Sequence, residues 1–542
     1  MRFSYLLSLV VCLGSIVFGS RTTLKRSVNG TSPTIDLGYA KYEGVALDAG
    51  VNQFLGMRYA AKPTENLRWR APEDPDRQEE TQDASSFGAI CLGTSQNAGS
   101  TVNEDCLFIN VFTPSNATAE SKLPVWFYIQ GGGYAMNSNA NYNGTDVVVK
   151  SDYGLVLVNF NYRVGALGFL ASEKVRQNGE LNVGLLDQRK GLHWVQKYIH
   201  LFGGDPNHVV IHGASAGGGS VAFHLTAYGA RNDGLFVGAV PESPFFPQHR
   251  TVADSELQFD RFVNDTGCAE AADAMGCLRS KDIDTIQAAN VPSPSLRTSE
   301  YSLWYFLPCI DDDFSRDHLY SLFQQGKFVK VPVMVAGDTD EGSFFAPNAS
   351  SPAEVSTFLR TYYPKLTDSD LEAINNVYPL MPPLPLHAAY FPSASAAYGD
   401  ATFTCGGLLL SESVAHYVSP NEIWNYRYNV QEPASVAAGL GVPHTSETPA
   451  IFGVGYAGGV GTSLETTNAG IVPVVMDYYI SFVKTLDPNS LKNSVAPHWG
   501  SFGHGNGKRL KIETNDTRME IIPQRLKQRC KLWWNLARTM EQ

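Results

Sequence analysis

The sequence predicts an α/β protein with a large, mostly parallel sheet, helices on both faces and helical excursions to one side. Three observations predict it. Continuous apolar runs of strand length recur, at 123–129, 155–160 and 209–211, as expected of strands buried on both faces. A segment with helical spacing, 185–199, with Leu192, Val195 and Ile199 on one face, precedes the last of these runs. That run then enters Gly213-Ala214-Ser215-Ala216-Gly217 and leaves it at helix-like spacing through Val221-Ala222-Phe223-His224-Leu225, a sharp strand–turn–helix junction.

Composition agrees with this class. Of 542 residues, 43% are hydrophobic and 17% charged, a balance that supplies a large core and excludes a disordered chain. The net charge of −12 argues against nucleic acid and anionic membrane surfaces as partners. Met1-Arg2-Phe3, an apolar run to Phe18 and the small pair Gly19-Ser20 read as a secretory signal peptide over 1–19, which leaves 20–542 as one domain. The run is short for a membrane span and no other approaches that length, so no integral membrane association is expected. Secretion makes six Asn-x-Ser/Thr sites candidate N-glycan acceptors: Asn29, Asn116, Asn143, Asn264, Asn348 and Asn515. Without Cys12, seven cysteines remain, and an odd count leaves one thiol unpaired.

In chain order, the turn-rich text from 39 to 75 reads as small antiparallel strands. The run 123–129 tolerates Pro124 at its start and ends at Gln130-Gly131-Gly132-Gly133-Tyr134. A strand at 155–160 follows, then the helix at 185–199, which Phe202-Gly203-Gly204-Asp205-Pro206 stops. Beyond the serine turn, Val237-Gly238-Ala239-Val240 is a short strand, and 251–330 is a helix-like excursion. A strand at 331–337 runs into Asp338-Thr339-Asp340-Glu341-Gly342. A second excursion covers 350–415, and 422–428 is a late strand with His444 in the loop beyond it. Strands alternating with helices give a parallel sheet covered on both faces.

Ser215 sits at the apex of the turn, where glycines on either side avoid a collision between strand and helix. A serine hydroxyl is a weak nucleophile until a base takes its proton and a carboxylate orients that base. On this kind of sheet the order along the chain is serine, acid, histidine, which selects Glu341 and His444. Asp338, Asp340 and His504 are the alternatives nearby in sequence or late in the chain. Backbone N–H groups of Gly132, Gly133 and Ala216 would form the oxyanion hole.

These motifs, together with Glu104-Asp105-Cys106-Leu107, Asn161-Tyr162-Arg163, Asp187-Gln188-Arg189 and Gly441-Val442-Pro443-His444-Thr445-Ser446-Glu447, resemble the type-B carboxylesterase/lipase family, which includes the cholinesterases. The likeness runs from near residue 40 to the end of the chain. It implies an α/β-hydrolase fold and a secreted, fungal-type carboxylesterase. Such an enzyme cleaves a small-molecule or lipid ester through an acyl-enzyme, with no cofactor and no metal. It also implies the bridges Cys91–Cys106, Cys268–Cys277 and Cys405–Cys530, with Cys309 free, and the salt bridges Arg68–Glu104 and Arg163–Asp187. Two positions depart from the family pattern: Gln130 stands where a histidine is usual, and Ala214 where many animal members have glutamate. The loop between Cys91 and Cys106 holds fourteen residues and no aromatic. It therefore lacks the tryptophan that stacks on choline in cholinesterases and is short for a lipase lid. These features favour a general esterase; a lipase on long-chain acylglycerols and a catalytically dead adhesion-type relative are the alternatives.

Other patterns carry less. His208 and His212 flank a strand, where a spacing of four separates them by roughly 13 Å, too far to share a metal. Gly453-x-Gly455-x-x-Gly458 lacks a βαβ setting. Asp311-Asp312-Asp313 reads as a solvated turn, and Glu447 as a hydrogen-bonding support near the site. Tyr134, Trp304 and Phe245-Phe246 are candidate pocket walls.

Overall fold

The computed structural model describes residues 32–138, 140–293, 302–457, 462–503 and 507–542. The N-terminal apolar stretch, Asn29, Gly458 and His504 lie outside the described residues. Eleven strands form the central sheet. In chain order they are β1 (Val45–Leu47), β2 (Val51–Arg58), β3 (Phe108–Pro114), β4 (Leu123–Ile129), β5 (Val156–Phe160), β6 (Gly204–Ala214), β7 (Gly238–Glu242), β8 (Val333–Val335), β9 (Ile423–Tyr428), β10 (Lys508–Ile512) and β11 (Arg518–Ile521). Across the sheet the order is β11-β10-β9-β8-β7-β6-β4-β5-β3-β2-β1. Strands β5 to β10 with β4 run parallel. Antiparallel pairs close both edges. This is the α/β-hydrolase architecture that the sequence predicts.

The helices that bear on the site are α1 (Val183–Tyr198), α2 (Ala216–Ala230), α3 (Phe391–Gly399), α4 (Cys405–Tyr417), α5 (Thr448–Phe452), α6 (Val472–Thr485) and α7 (Gln524–Met540). Strand side chains alternate between two cores, as the pleat requires. Val125, Phe127 and Ile129 of β4 face a core shared with Leu192 and Val195 of α1 and Val221 and Leu225 of α2. Trp126 and Tyr128, the residues between, face the core of Ile451 and Phe452 of α5 and Tyr479 and Phe482 of α6.

Three strands of the central sheet escape the sequence reading. β3 lies antiparallel to both β2 and β5, and β10–β11 is an edge hairpin whose Lys508, Arg509, Lys511 and Arg518 hide its strand period among charges. The expected strand at 331–337 is shorter, Val333–Val335. The described parts of both excursions are mainly helical, the first with a two-stranded pair, Arg250–Thr251 and Cys309–Ile310. All three disulfides form as the resemblance implies, and Cys309 is a buried free thiol. Both salt bridges form too: Arg163 Nη2 lies 2.7 Å from Asp187 Oδ1, and Arg68 Nη2 donates to Glu104 Oε2 at 2.9 Å. Of the candidate glycan acceptors, Asn116, Asn264, Asn348 and Asn515 are exposed, whereas Asn143 is largely buried, its amide oxygen accepting the Thr145 N–H at 2.9 Å. No described helix is long and apolar enough to cross a membrane.

Candidate active site

Ser215 occupies the turn between β6 and α2 with φ 60° and ψ −121°. This is strained backbone for a non-glycine residue, of the kind stored at functional sites. The turn is over-determined by its neighbours. The Ser215 N–H donates to the Glu242 carbonyl at 3.0 Å, and the Ser215 carbonyl accepts from Gly219 and Phe245 at 2.9 and 3.0 Å. Only glycine fits beside it: a Cβ on Gly213 would sit 2.3 Å from the Gly217 carbonyl oxygen, and one on Gly217 would sit 2.0 Å from the Ile129 carbonyl oxygen.

His444 and Glu341 come from loops after β9 and β8. His444 Nδ1 lies 2.5 Å from Glu341 Oε2, and both side chains are buried. The other carboxylate oxygen, Oε1, accepts from Ser243 Oγ and from the Asp338 N–H, each at 2.8 Å. Glu341 is thus held as an acceptor at both oxygens, which orients the imidazole with Nδ1–H toward it. His444 Nε2 is buried without a hydrogen-bond partner among the described residues, and no hydrogen bond joins it to Ser215 Oγ. Catalytic contacts of this kind commonly tighten only when substrate binds. A short relay through β7 connects the three residues: the Glu242 carbonyl holds Ser215, and the adjacent Ser243 holds Glu341. Of the alternative acids, Asp340 instead caps the His444 loop, with Oδ2 accepting from Val442 N–H at 2.9 Å.

The glycine loop lies against the nucleophile turn: a Cβ on Gly131 would sit 2.9 Å from Ser215 Cβ. Gly132 and Gly133 have φ 113° and 62°. Their N–H groups have no hydrogen-bond partner among the described residues. Ala216 is the first residue of α2, where a helix leaves its N–H groups free. Gln130, the departure from the family pattern, is an internal brace. Its amide donates to the Phe160 carbonyl and to Asn161 Oδ1 at 3.3 and 3.2 Å. The Cys91–Cys106 loop packs on the next segment, with Thr94 N–H donating to the Ala135 carbonyl at 2.7 Å.

Aromatic rings wall this region. Trp304 presses on the glycine loop, since a Cβ on Gly133 would fall 2.1 Å from its Cε3 atom. Its ring neighbours are Phe245 and Phe345 at 5.8 and 5.9 Å. Phe403 lies 4.2 Å and Phe345 5.3 Å from the His444 ring. Phe345 and Phe403 escape the sequence reading. Phe403 arrives on a π-turn, Asp400–Thr404, that joins α3 to α4, and nothing in the local sequence marks such a turn. Two expected wall residues lie elsewhere. Phe246 packs on Tyr320 and Phe323 in the core behind the site. Tyr134 is fully buried among Phe169, Phe223 and Phe245.

Behind His444 lies a set of buried acids. Burial pushes the Glu242 carboxyl up to about 8. It also raises Glu447, to which the charges of Glu242 and Glu341 add repulsion, and Asp338, to which those of Glu447 and Glu341 do. Glu447 Oε1 accepts from the Tyr426 hydroxyl at 3.1 Å, in keeping with a supporting role. Asp311 is a capping residue, with Oδ1 accepting the Asp313 and Ser315 N–H groups at 3.0 and 2.8 Å. His208 and His212 share β6 but point to different partners, the Val483 carbonyl and Glu242.

Comparison with known proteins gives one consistent answer. The sequence pattern of the carboxylesterase family matches residues 31–533. The crystal structure of EstA from Aspergillus niger superposes with a TM-score of 0.93 at 56% identity, covering 94% of this chain and 99% of that one. Secreted lipase 4 of Gibberella zeae is 30% identical over 94% of this chain and 91% of its own. Fumonisin B1 esterase of Sphingopyxis macrogoltabida is 32% identical over 76% of this chain and 72% of its own.

Proposed function

The chain belongs to the carboxylesterase family and is a carboxylic ester hydrolase; from that premise we propose that it works through a Ser215–His444–Glu341 triad and an acyl-enzyme, outside the cell. In this reading His444 Nε2 takes the Ser215 proton as Oγ attacks the ester carbonyl. The oxyanion rests on the N–H groups of Gly132, Gly133 and Ala216. His444 then returns the proton to the leaving alcohol, and a water activated in the same way releases the acid. Glu341 fixes the tautomer and stabilises the imidazolium. The observation that carries the reading is the 2.5 Å contact of Glu341 with His444 Nδ1, which leaves Nε2 unpaired.

The wall of Trp304, Phe245, Phe345 and Phe403 beside the glycine loop, with the short disulfide loop, favours compact acyl groups. Long-chain lipase activity is the second reading, favoured by relatives that are named lipases. Secretion is supported by the apolar N-terminal sequence, the three disulfides and relatives named secreted. Nitrophenyl esters of increasing acyl length, turned over by the wild type and by Ser215→Ala, test the reading. Rapid turnover of short esters that Ser215→Ala abolishes is the expected result. A maximum at long chains moves the assignment to lipase, and full activity in Ser215→Ala removes the triad.

A further inference from the structure

A second histidine–carboxyl pair lies directly behind the site and takes no part in the mechanism above. His212 stands three residues before Ser215 on β6, and Glu242 ends the neighbouring strand β7, in register with Ala214. Both are fully buried. Trp126 Nε1–H donates to His212 Nδ1 at 3.0 Å, so the ring hydrogen sits on Nε2, which donates to Glu242 Oε2 at 2.7 Å. The other carboxyl oxygen, Oε1, meets the hydroxyl of Thr448 at 3.3 Å. Thr448 is the first residue of α5, four positions after His444. Phe452, at the other end of α5, stacks on the His212 ring at 5.9 Å and 12°. The helix that continues from the His444 loop is therefore docked, at both ends, on a pair built into the nucleophile strand and its neighbour.

We propose that His212 and Glu242 form an uncharged positioning pair, which fixes α5 and the His444 loop against the Ser215 strand and keeps a second carboxylate away from His444. This rests on the triad reading above. The ionisable groups facing Glu242 come from every element packed on it. They are His212 on β6, Tyr142 beyond the glycine loop, Asp338 and Glu341 after β8, Tyr426 on β9, His444 and Glu447 in the histidine loop, and Tyr479 on α6. Among them Glu341 must be the anion that serves His444. An anionic Glu242 would be a buried carboxylate without a counter-ion, repelled by Glu341, and its ionisation would loosen the α5 contact that positions the His444 loop. Burial agrees with an uncharged pair: it pushes Glu242 up to about 8 and His212 down to about 3.

The test compares Glu242→Gln, which keeps shape, neutrality and both hydrogen bonds, with Glu242→Ala and Thr448→Val. Each purified variant is first titrated with a fluorophosphonate and melted, so that folding and the Ser215 nucleophile are checked apart from the pair; Ser215→Ala is the control for labelling. The pH dependence of kcat and KM on a nitrophenyl ester is then measured. Glu242→Gln should keep kcat to within about threefold, a change too small for a lost catalytic contact. In the wild type kcat should decline as Glu242 ionises above about pH 8, and Glu242→Gln should lose that decline. Glu242→Ala should lose about 10²-fold in kcat with KM little changed, the cost of a misplaced catalytic loop. Thr448→Val should fall between them, and it carries the positional arm if Glu242→Ala does not fold. The proposal is overturned if Glu242→Gln falls as far as Glu242→Ala. It is equally overturned if Glu242→Gln keeps the alkaline decline, or if Glu242→Ala and Thr448→Val match the wild type. Failure of the triad reading is separate, because it appears as labelling that survives in Ser215→Ala.

Discussion

In the proposed triad, Glu341 is fit to orient His444 because both of its carboxylate oxygens are engaged. Ser243 Oγ and the Asp338 N–H hold Oε1, and the imidazole takes Oε2. Glu341→Gln would therefore keep the packing but present an amide to Nδ1. The imidazole would adopt the wrong tautomer, and turnover should drop by about 10⁴-fold with the fold intact, as measured by ester hydrolysis alongside a melting curve. The buried acids make a separate prediction for stability. Glu242 is raised from 4.5 to about 8 in the folded chain, so its contribution is complete below the unfolded value and is lost as pH rises through the folded one. Melting temperature should fall between those two pH values, and Glu242→Gln should flatten part of that fall. His212, lowered from 6.5 to about 3, acts in the opposite sense: its contribution is present above the unfolded value and is lost as pH falls toward 3. At this scale the residues the sequence singles out are those with local signals: Ser215 by its glycines, Gly132 and Gly133 by a triplet after a strand, and His444 by its place after a late strand. The structure seats Ser215 in a strand–helix turn, lays the glycine loop against it and joins His444 to Glu341; their catalytic roles are the proposal that the labelling experiment tests. Phe403, Phe345 and the His212–Glu242 pair were not legible, because their partners lie far along the chain and only the packed fold brings them together.

At the scale of elements, the site is the meeting of a strand, a helix and a glycine loop at distances that admit no side chain. Gly217→Ala would drive a methyl to 2.0 Å from the Ile129 carbonyl oxygen. That atom is backbone of a buried strand and cannot step aside. The turn must open, so the variant should lose ester turnover and melt at lower temperature. Trp304→Ala makes the contrasting prediction. It removes a ring from the wall without touching the backbone of the glycine loop, so the enzyme should stay folded while its preference moves toward longer acyl chains in the nitrophenyl series. The reason some elements were hidden is also physical. A buried parallel strand advertises itself as an unbroken apolar run; the β10–β11 edge carries Arg509, which pairs with Glu520, and Lys511, which pairs with Asp516, so its pattern reads as surface. The π-turn at Asp400–Thr404 is stabilised from outside, by the Tyr378 hydroxyl at 2.7 Å and the Arg529 guanidinium at 2.6 Å from Asp400.

Across the whole molecule, the last helix fastens the back of the site. Cys530 on α7 is joined to Cys405 at the start of α4, closing a separation of 125 residues. Arg529 pairs with Asp400, and the Gln542 amide donates to the Phe246 carbonyl at 2.7 Å. Replacing Cys405 and Cys530 together by serine should lower stability by about 2–5 kcal/mol in denaturant unfolding, with the loss of α7 docking felt at the π-turn and hence at Phe403. The central claim remains the identity of the nucleophile. Intact-mass and peptide analysis after a fluorophosphonate is the most direct measurement. One adduct per chain, on the peptide that holds Ser215, and none in Ser215→Ala is the predicted result; an adduct on another residue, or undiminished labelling of Ser215→Ala, would contradict the account.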